Sequence, residues 1–146
     1  MDTNTWIALA LETHPQHAVA RRWYEAAPLT RGDLLFCRAT EISFLRLVTQ
    51  KQVMKRCGVV AMTNEQAIDY LTAVYDDPAV ARIEEPPSAR SLWLELASGP
   101  HASPNVWMDA YLAAFAIAIS AEMVTFDRGL LAFVDRGLKV HLLKQP

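Results

Sequence analysis

The sequence predicts an α/β protein, a three-layer α/β/α sandwich on a mostly parallel sheet. Three observations lead there. Short apolar runs at 34–37, 123–126 and 139–143 read as buried strands, and helix-length segments separate them. The segment 103–121 is apolar on nearly every side, as a helix inside a core is. No repeat, low-complexity tract or linker divides the 146 residues, so one domain over 1–146 is expected.

Taken in order, a first helix follows Asp2 directly and runs through Thr5 to Leu11. Thr13 and Gln16 have capping-box spacing, which predicts a second helix from Pro15 to Ala27, ended by Pro28. Leu34 to Cys37 form a strand. A helix then covers Ala39 to Gln50, with Glu41 in line with Leu45 and Val48 at i, i+4 and i+7. Thr63 and Gln66 repeat the capping-box spacing and open a helix that runs to Tyr75. Val80 to Ile83 read as a weak strand, and Pro86 and Pro87 start a helix that stops before Gly99. Ser103 as N-cap and Pro104 at the first helical position open the apolar helix to Ala121. The strand Met123 to Phe126 delivers Asp127 to a turn containing Gly129, and a strand over 139–143 closes the chain.

Composition excludes several classes. With 52% hydrophobic and 21% charged residues the chain is globular and not disordered. The apolar run 110–119 is about half the length a bilayer requires, and no cleavable signal is visible. A soluble cytoplasmic protein is expected. Cys37 and Cys57 lack metal-ligand spacing and suit reduced core thiols. The net charge of −2 gives no bulk attraction to nucleic acid, so RNA or DNA would need a local basic patch or bound cations.

Four carboxylates stand out. Asp109 interrupts an apolar helix, where a dry, unpaired carboxylate would cost several kcal/mol by order of magnitude. Glu41 does the same on an earlier helix, Asp127 ends a strand, and Asp2 precedes a helix. In a parallel α/β sheet, ligands bind beyond the carboxyl ends of the strands, where all four can meet. Pairs of them about 5–6 Å apart would repel by roughly 3 kcal/mol, a cost that protonation or a cation relieves. An oxygen-only donor set favours Mg²⁺ or Mn²⁺ over zinc. Singly, each acid has an ordinary reading: Asp2 as a frayed end, Asp127 as a turn residue, Glu41 as a first-turn acid favoured by the helix dipole. His14 and His17 suit capping or surface roles, and the four tryptophans suit core or interface anchors.

The order D-T-N at the start, an acid in the helix after a strand, N-x-x-x-D on a late helix, and T-F-D-R-G at the end of a strand resembles the PIN-domain nucleases. More narrowly, it resembles the VapC-type ribonuclease toxins of bacterial toxin-antitoxin pairs. The segments H-P-Q-H-A-V-A-R-R-W and C-R-A-T-E-I-S-F-L-R-L-V-T add to the likeness. The resemblance implies metal ligands at Asp2, Glu41, Asp109 and Asp127, with Asn105 and Asn4 as supporting polar groups. It implies Mg²⁺- or Mn²⁺-dependent cleavage of structured RNA, a homodimer, and a cognate antitoxin that blocks the groove. Arg38, Arg46 and Arg128 are the candidate RNA contacts, and Lys51, Lys55 and Arg56 extend the basic face of the third helix.

Family members carry a full apolar strand before the first acid, whereas Met1 alone precedes Asp2 here. The expectation is either a start further upstream or a shortened first strand. Two competing readings follow. One is a catalytically silent PIN module that binds RNA or antitoxin. The other is an aspartyl-phosphate phosphatase, although those enzymes carry a second Asp where this chain has Asn4.

Overall fold

The computed structural model describes residues 1–144 and contains helices and parallel strands, the architecture of an α/β protein. The chain forms two compact units. The first comprises Met1, Thr3–Glu84 and the chain from Leu143; the second comprises Asp2 and Glu85–Leu142.

In the first unit, helix α1 spans Thr3–Ala10 and buries Trp6, Ile7 and Ala8. Helix α2 spans His17–Ala26 and starts later than its capping-box spacing implies. His14 accounts for the delay, because its Nδ1 accepts the Gln16 N–H (3.1 Å) in place of a Thr13 cap. His17 is likewise committed, its Nδ1 lying 2.9 Å from the Ala8 carbonyl oxygen. Both histidines therefore shape backbone.

Strand β1 (Leu34–Phe36) leads into α3 (Arg38–Val48), opened by the Cys37 N–H donating to Thr40 Oγ1 at 3.0 Å. A further helix, α4 (Lys51–Arg56), follows a break at Thr49 and Gln50. Lys51, Lys55 and Arg56 thus lie on their own helix and do not continue the third one. Helix α5 (Asn64–Tyr75) carries the expected capping box: Gln66 N–H donates to Thr63 Oγ1 and Thr63 N–H donates to Gln66 Oε1. Thr63→Ala should cost about 1 kcal/mol, measurable by urea denaturation. Strand β2 (Val80–Arg82) pairs in parallel with β1, Phe36 opposite Arg82.

The core of this unit gathers Trp6, Ile7 and Leu11 of α1 and its end with Leu34 and Phe36 of β1, Phe44 and Val48 of α3, and Met54 of α4. The Trp6 and Phe36 rings stack at 3.8 Å and 15°. Cys37 and Cys57 are buried free thiols, as their spacing suggested.

The second unit is organised around α7 (Val106–Ala118), which buries Ala110, Leu112, Ala113, Ala114, Phe115 and Ala116. Its alanines let α6 (Ala89–Ala97) approach closely, and the two helices form the main packing of the unit. Both start later than their prolines suggested. Ser88 and Asn105 occupy the cap positions, and Ser103 forms only a turn, its carbonyl accepting the Val106 N–H at 3.3 Å. Helix α7 also stops early. Ser120 takes a left-handed φ of 57°, and Ala121 N–H returns to the Ala116 carbonyl (2.9 Å), which satisfies the helix end.

Strand β3 (Glu122–Thr125) pairs in parallel with β4 (Lys139–Leu142), joined by a 3₁₀-helical stretch Arg128–Arg136 where only a turn was expected. Leu130 and Phe133 of that stretch are buried. No strand precedes α1 among the described residues; Asp2 N–H instead donates to the Val124 carbonyl at 3.3 Å.

Candidate active site

Three of the four predicted acids belong to the second unit and converge there. Asp109 sits in the first turn of α7, half-buried. Its carboxyl is held above the ordinary range by burial first, then by the charges of Asp127 and Asp2. A helix N-terminus favours a carboxylate, so desolvation and like charge outweigh the dipole at this position.

Asp127 follows β3 and caps the 3₁₀ stretch, Oδ1 accepting the Gly129 N–H at 2.7 Å. Asp2 is buried at 6% exposure, and one of its oxygens is fixed by a residue that sequence reasoning overlooked. Thr125, fully buried at the end of β3, donates from Oγ1 to Asp2 Oδ2 at 2.6 Å. The same oxygen accepts the Asp127 N–H at 2.8 Å. A single hydroxyl thus ties Asp2 to the backbone of Asp127. The signal was present in T-F-D-R-G: residues two apart on a strand share a face, so a polar residue at 125 points the way Asp127 does.

Gly129 has a steric role beside these acids. A Cβ placed there would come within 3.1 Å of Asp127 Oδ1 and 3.6 Å of Asp109 Oδ2. The missing side chain leaves open space that both carboxylates flank.

Glu41 lies in the first unit, buried at 6% exposure in the first turn of α3. Tyr75 donates its hydroxyl to Oε1 at 2.7 Å. Two guanidiniums approach Oε2, Arg38 at 3.2 Å and Arg82 at 3.5 Å. The Tyr75 hydroxyl is held well above its usual pKa by burial and by that hydrogen bond to Glu41. Arg82 was not a sequence candidate, because a cation in a weak strand carries no pattern of its own.

Of the remaining candidates, Asn4, Asn105, Arg46 and Arg128 are all exposed. Asn105 precedes α7 and makes no side-chain cap bond. Trp6 is core at 1% exposure, whereas Trp107 is 52% exposed at the start of α7. Its backbone carbonyl accepts the Trp93 indole N–H at 2.9 Å.

The donor chemistry suits a hard divalent cation. Among the described residues no three His, Cys, Asp or Glu side chains close into a metal cage. Asp109 and Asp127, which flank the space over Gly129, would supply the one or two carboxylates that Mg²⁺ takes from a protein.

Comparison with known proteins identifies the family. Residues 1–135 match the PIN domain family. The chain is 39% identical over 145 residues to Ribonuclease VapC41 of Mycobacterium tuberculosis, covering 97% of this chain and 96% of that protein. It is 26% identical over 140 residues to Ribonuclease VapC31 and 25% identical over 140 residues to Ribonuclease VapC25 of the same organism, each covering 92% of both chains. A match of that extent, together with a parallel α/β architecture, makes this chain a VapC-type member of the PIN-domain family.

Proposed function

We propose that the chain is an endoribonuclease, the toxin of a toxin-antitoxin pair, that hydrolyses structured RNA with Mg²⁺ or Mn²⁺. The observation that carries this is the aspartate set of the second unit: Asp109 with a raised pKa beside Asp127 and Asp2, and Thr125 bridging the last two. An acid perturbed by burial and by like charges close to it is a mark of functional sites. Asp109 and Asp127 would hold the cation, with Asp2 oriented toward them by Thr125. When bound, the cation would lower the pKa of a water so that its deprotonated form can attack phosphorus, and would supply a counter-charge for the phosphodiester in transit.

The chain's own groups have separate tasks in this reading. Positive charge from a cation would relieve the repulsion that the Asp109 carboxylate meets from Asp127 and Asp2. Thr125 keeps one lone pair of Asp2 occupied, which fixes the direction of the other oxygen. No side chain of the set is placed as a general acid, so solvent protonates the leaving oxygen. Hydrolysis by water leaves 5′-phosphate and 3′-hydroxyl ends. A 2′,3′-cyclic phosphate at the new ends would overturn this mechanism.

The Thr125 bridge gives a separate expectation. Thr125→Val keeps the strand's shape and removes the hydroxyl, leaving the Asp127 N–H without its acceptor. Cleavage should fall roughly 10–100-fold, the usual cost of losing an outer-shell partner, while Thr125→Ser retains most activity. Equal rates in the valine and native proteins would remove Thr125 from the site.

The relatives' ribonuclease names support the substrate class, and a homodimer and a cognate antitoxin belong to the same proposal. No helix among the described residues is long and apolar enough to cross a membrane. The deciding experiment is sequencing of RNA ends after total bacterial RNA is incubated with the protein and Mn²⁺. An Asp109→Asn protein and a chelated sample run alongside. New 5′-phosphate ends absent from both controls establish the nuclease; RNA binding without any such ends identifies a silent binding module.

A further inference from the structure

We infer that Arg38 and Arg82 together form a binding site for one RNA phosphate, seated over Glu41. This inference rests on the ribonuclease reading. It starts from an imbalance at Glu41 Oε2, a buried oxygen with two guanidiniums at 3.2 and 3.5 Å and no hydrogen bond from either. The cations are close enough to neutralise the carboxylate, but their donors are aimed elsewhere. Glu41 satisfies its other oxygen through Tyr75.

Each guanidinium has five N–H donors in a planar fork, a shape that matches two oxygens of a phosphate. Arg38 is 63% exposed, and among the described residues no carboxylate other than Glu41 pairs with it. Arg82 also pairs with Glu84, which is 79% exposed, and an exposed pair of that kind is worth little and exchanges readily. Two arginines on one buried glutamate carry an excess of one positive charge over Glu41, balanced only by the exposed Glu84, whose screened pair with Arg82 a phosphate can displace. In a chain whose net charge is −2, attraction for RNA has to be local, and this is a place where two cations from different elements converge.

The alternative is purely structural: the arginines only neutralise a buried glutamate. The two roles separate in one set of variants, all built on an Asp109→Asn protein so that RNA is bound and not cut. Binding of total-RNA fragments is titrated between 50 and 200 mM salt. Arg82→Ala and Arg38→Ala should each weaken binding about tenfold, the loss expected for a charged hydrogen bond. Each should also flatten the slope of log affinity against log salt by about 0.7–0.9.

Adding Glu41→Gln to Arg82→Ala removes the orphaned carboxylate. The phosphate site requires that this double variant regain melting temperature without regaining RNA affinity. Recovery of both together would overturn the inference in favour of the structural role. So would arginine variants whose affinity and salt slope match the parent's. If the Asp109→Asn parent with both arginines intact binds no RNA, the ribonuclease reading fails along with the inference.

Discussion

Asp109→Asn should abolish cleavage and, in metal-free protein at neutral pH, raise the melting temperature. Both results follow from one fact. The Asp109 carboxyl sits above its ordinary pKa because it is partly desolvated and faces Asp127 and Asp2. An acid whose pKa is raised by folding destabilises the fold while it is ionised. That penalty is complete above the folded pKa and disappears as pH falls toward the ordinary carboxylate value of 3.8. The asparagine has the same shape and no charge, so its advantage should be largest near pH 7 and shrink steadily on acidification.

Mn²⁺ should reverse the order, because a ligand that binds only the folded native site stabilises it by mass action. The activity loss should exceed the roughly 10–100-fold that an outer-shell change produces, since a charged group facing the cation is removed. Full activity in the variant would show that the site has been misplaced. A melting temperature lower than the native protein's at every pH would show that Asp109 is structurally satisfied, contrary to its surroundings.

The second large effect concerns Phe36. Its side chain is fully buried, stacked on Trp6 at 3.8 Å, edge-on to Phe44 at 5.9 Å and tilted against Tyr75 at 5.6 Å. Phe36→Ala removes the ring on which the other three lean and leaves a cavity that a strand of three residues cannot close. The expected cost is about 3–5 kcal/mol against a total stability of about 5–15 kcal/mol, enough to lower the melting temperature by about 10 °C. Val60→Ala is the control. Val60 is 90% exposed, so its truncation should stay within about 0.5 kcal/mol. A Phe36→Ala protein melting within 2 °C of the native chain, about 1 kcal/mol or less, would mean that Trp6, Phe44 and Tyr75 close over the gap.

Particular elements show why sequence reading succeeded in some places and failed in others. The α5 capping box is a local event between Thr63 and Gln66, and it formed as written. The Thr13–Gln16 pair has the same spacing and gave no cap, because His14 offered its ring nitrogen to the same amide. Spacing alone does not rank competing acceptors. Proline misled at both α6 and α7: it is allowed in a first turn but does not compel one, and here it precedes the helix. Helix α4, six mostly polar residues, was too short for a period to register, and the 3₁₀ stretch, though rich in apolar residues, was hidden behind the turn signal of Gly129.

At the site, Asp109 was legible because a carboxylate among alanines is anomalous. Asp2 and Asp127 became legible through the order of the set. Thr125 and Arg82 stayed hidden because both act through a partner far away in sequence. Asp2 and Thr125 lie 123 positions apart, and the chain between them carries no local trace of their hydrogen bond.

The Thr125 hydroxyl also bears on how descent is read within such a family. A homologous chain could keep every aspartate and exchange only that threonine for valine or alanine. An inventory of carboxylates would count it as competent, yet Asp2 would have lost its orienting donor and the Asp127 amide its acceptor. Degenerate, non-cleaving descendants could therefore arise by a change that leaves the acidic signature untouched, and the uncharged position two residues before the last aspartate is where such decay would first be written.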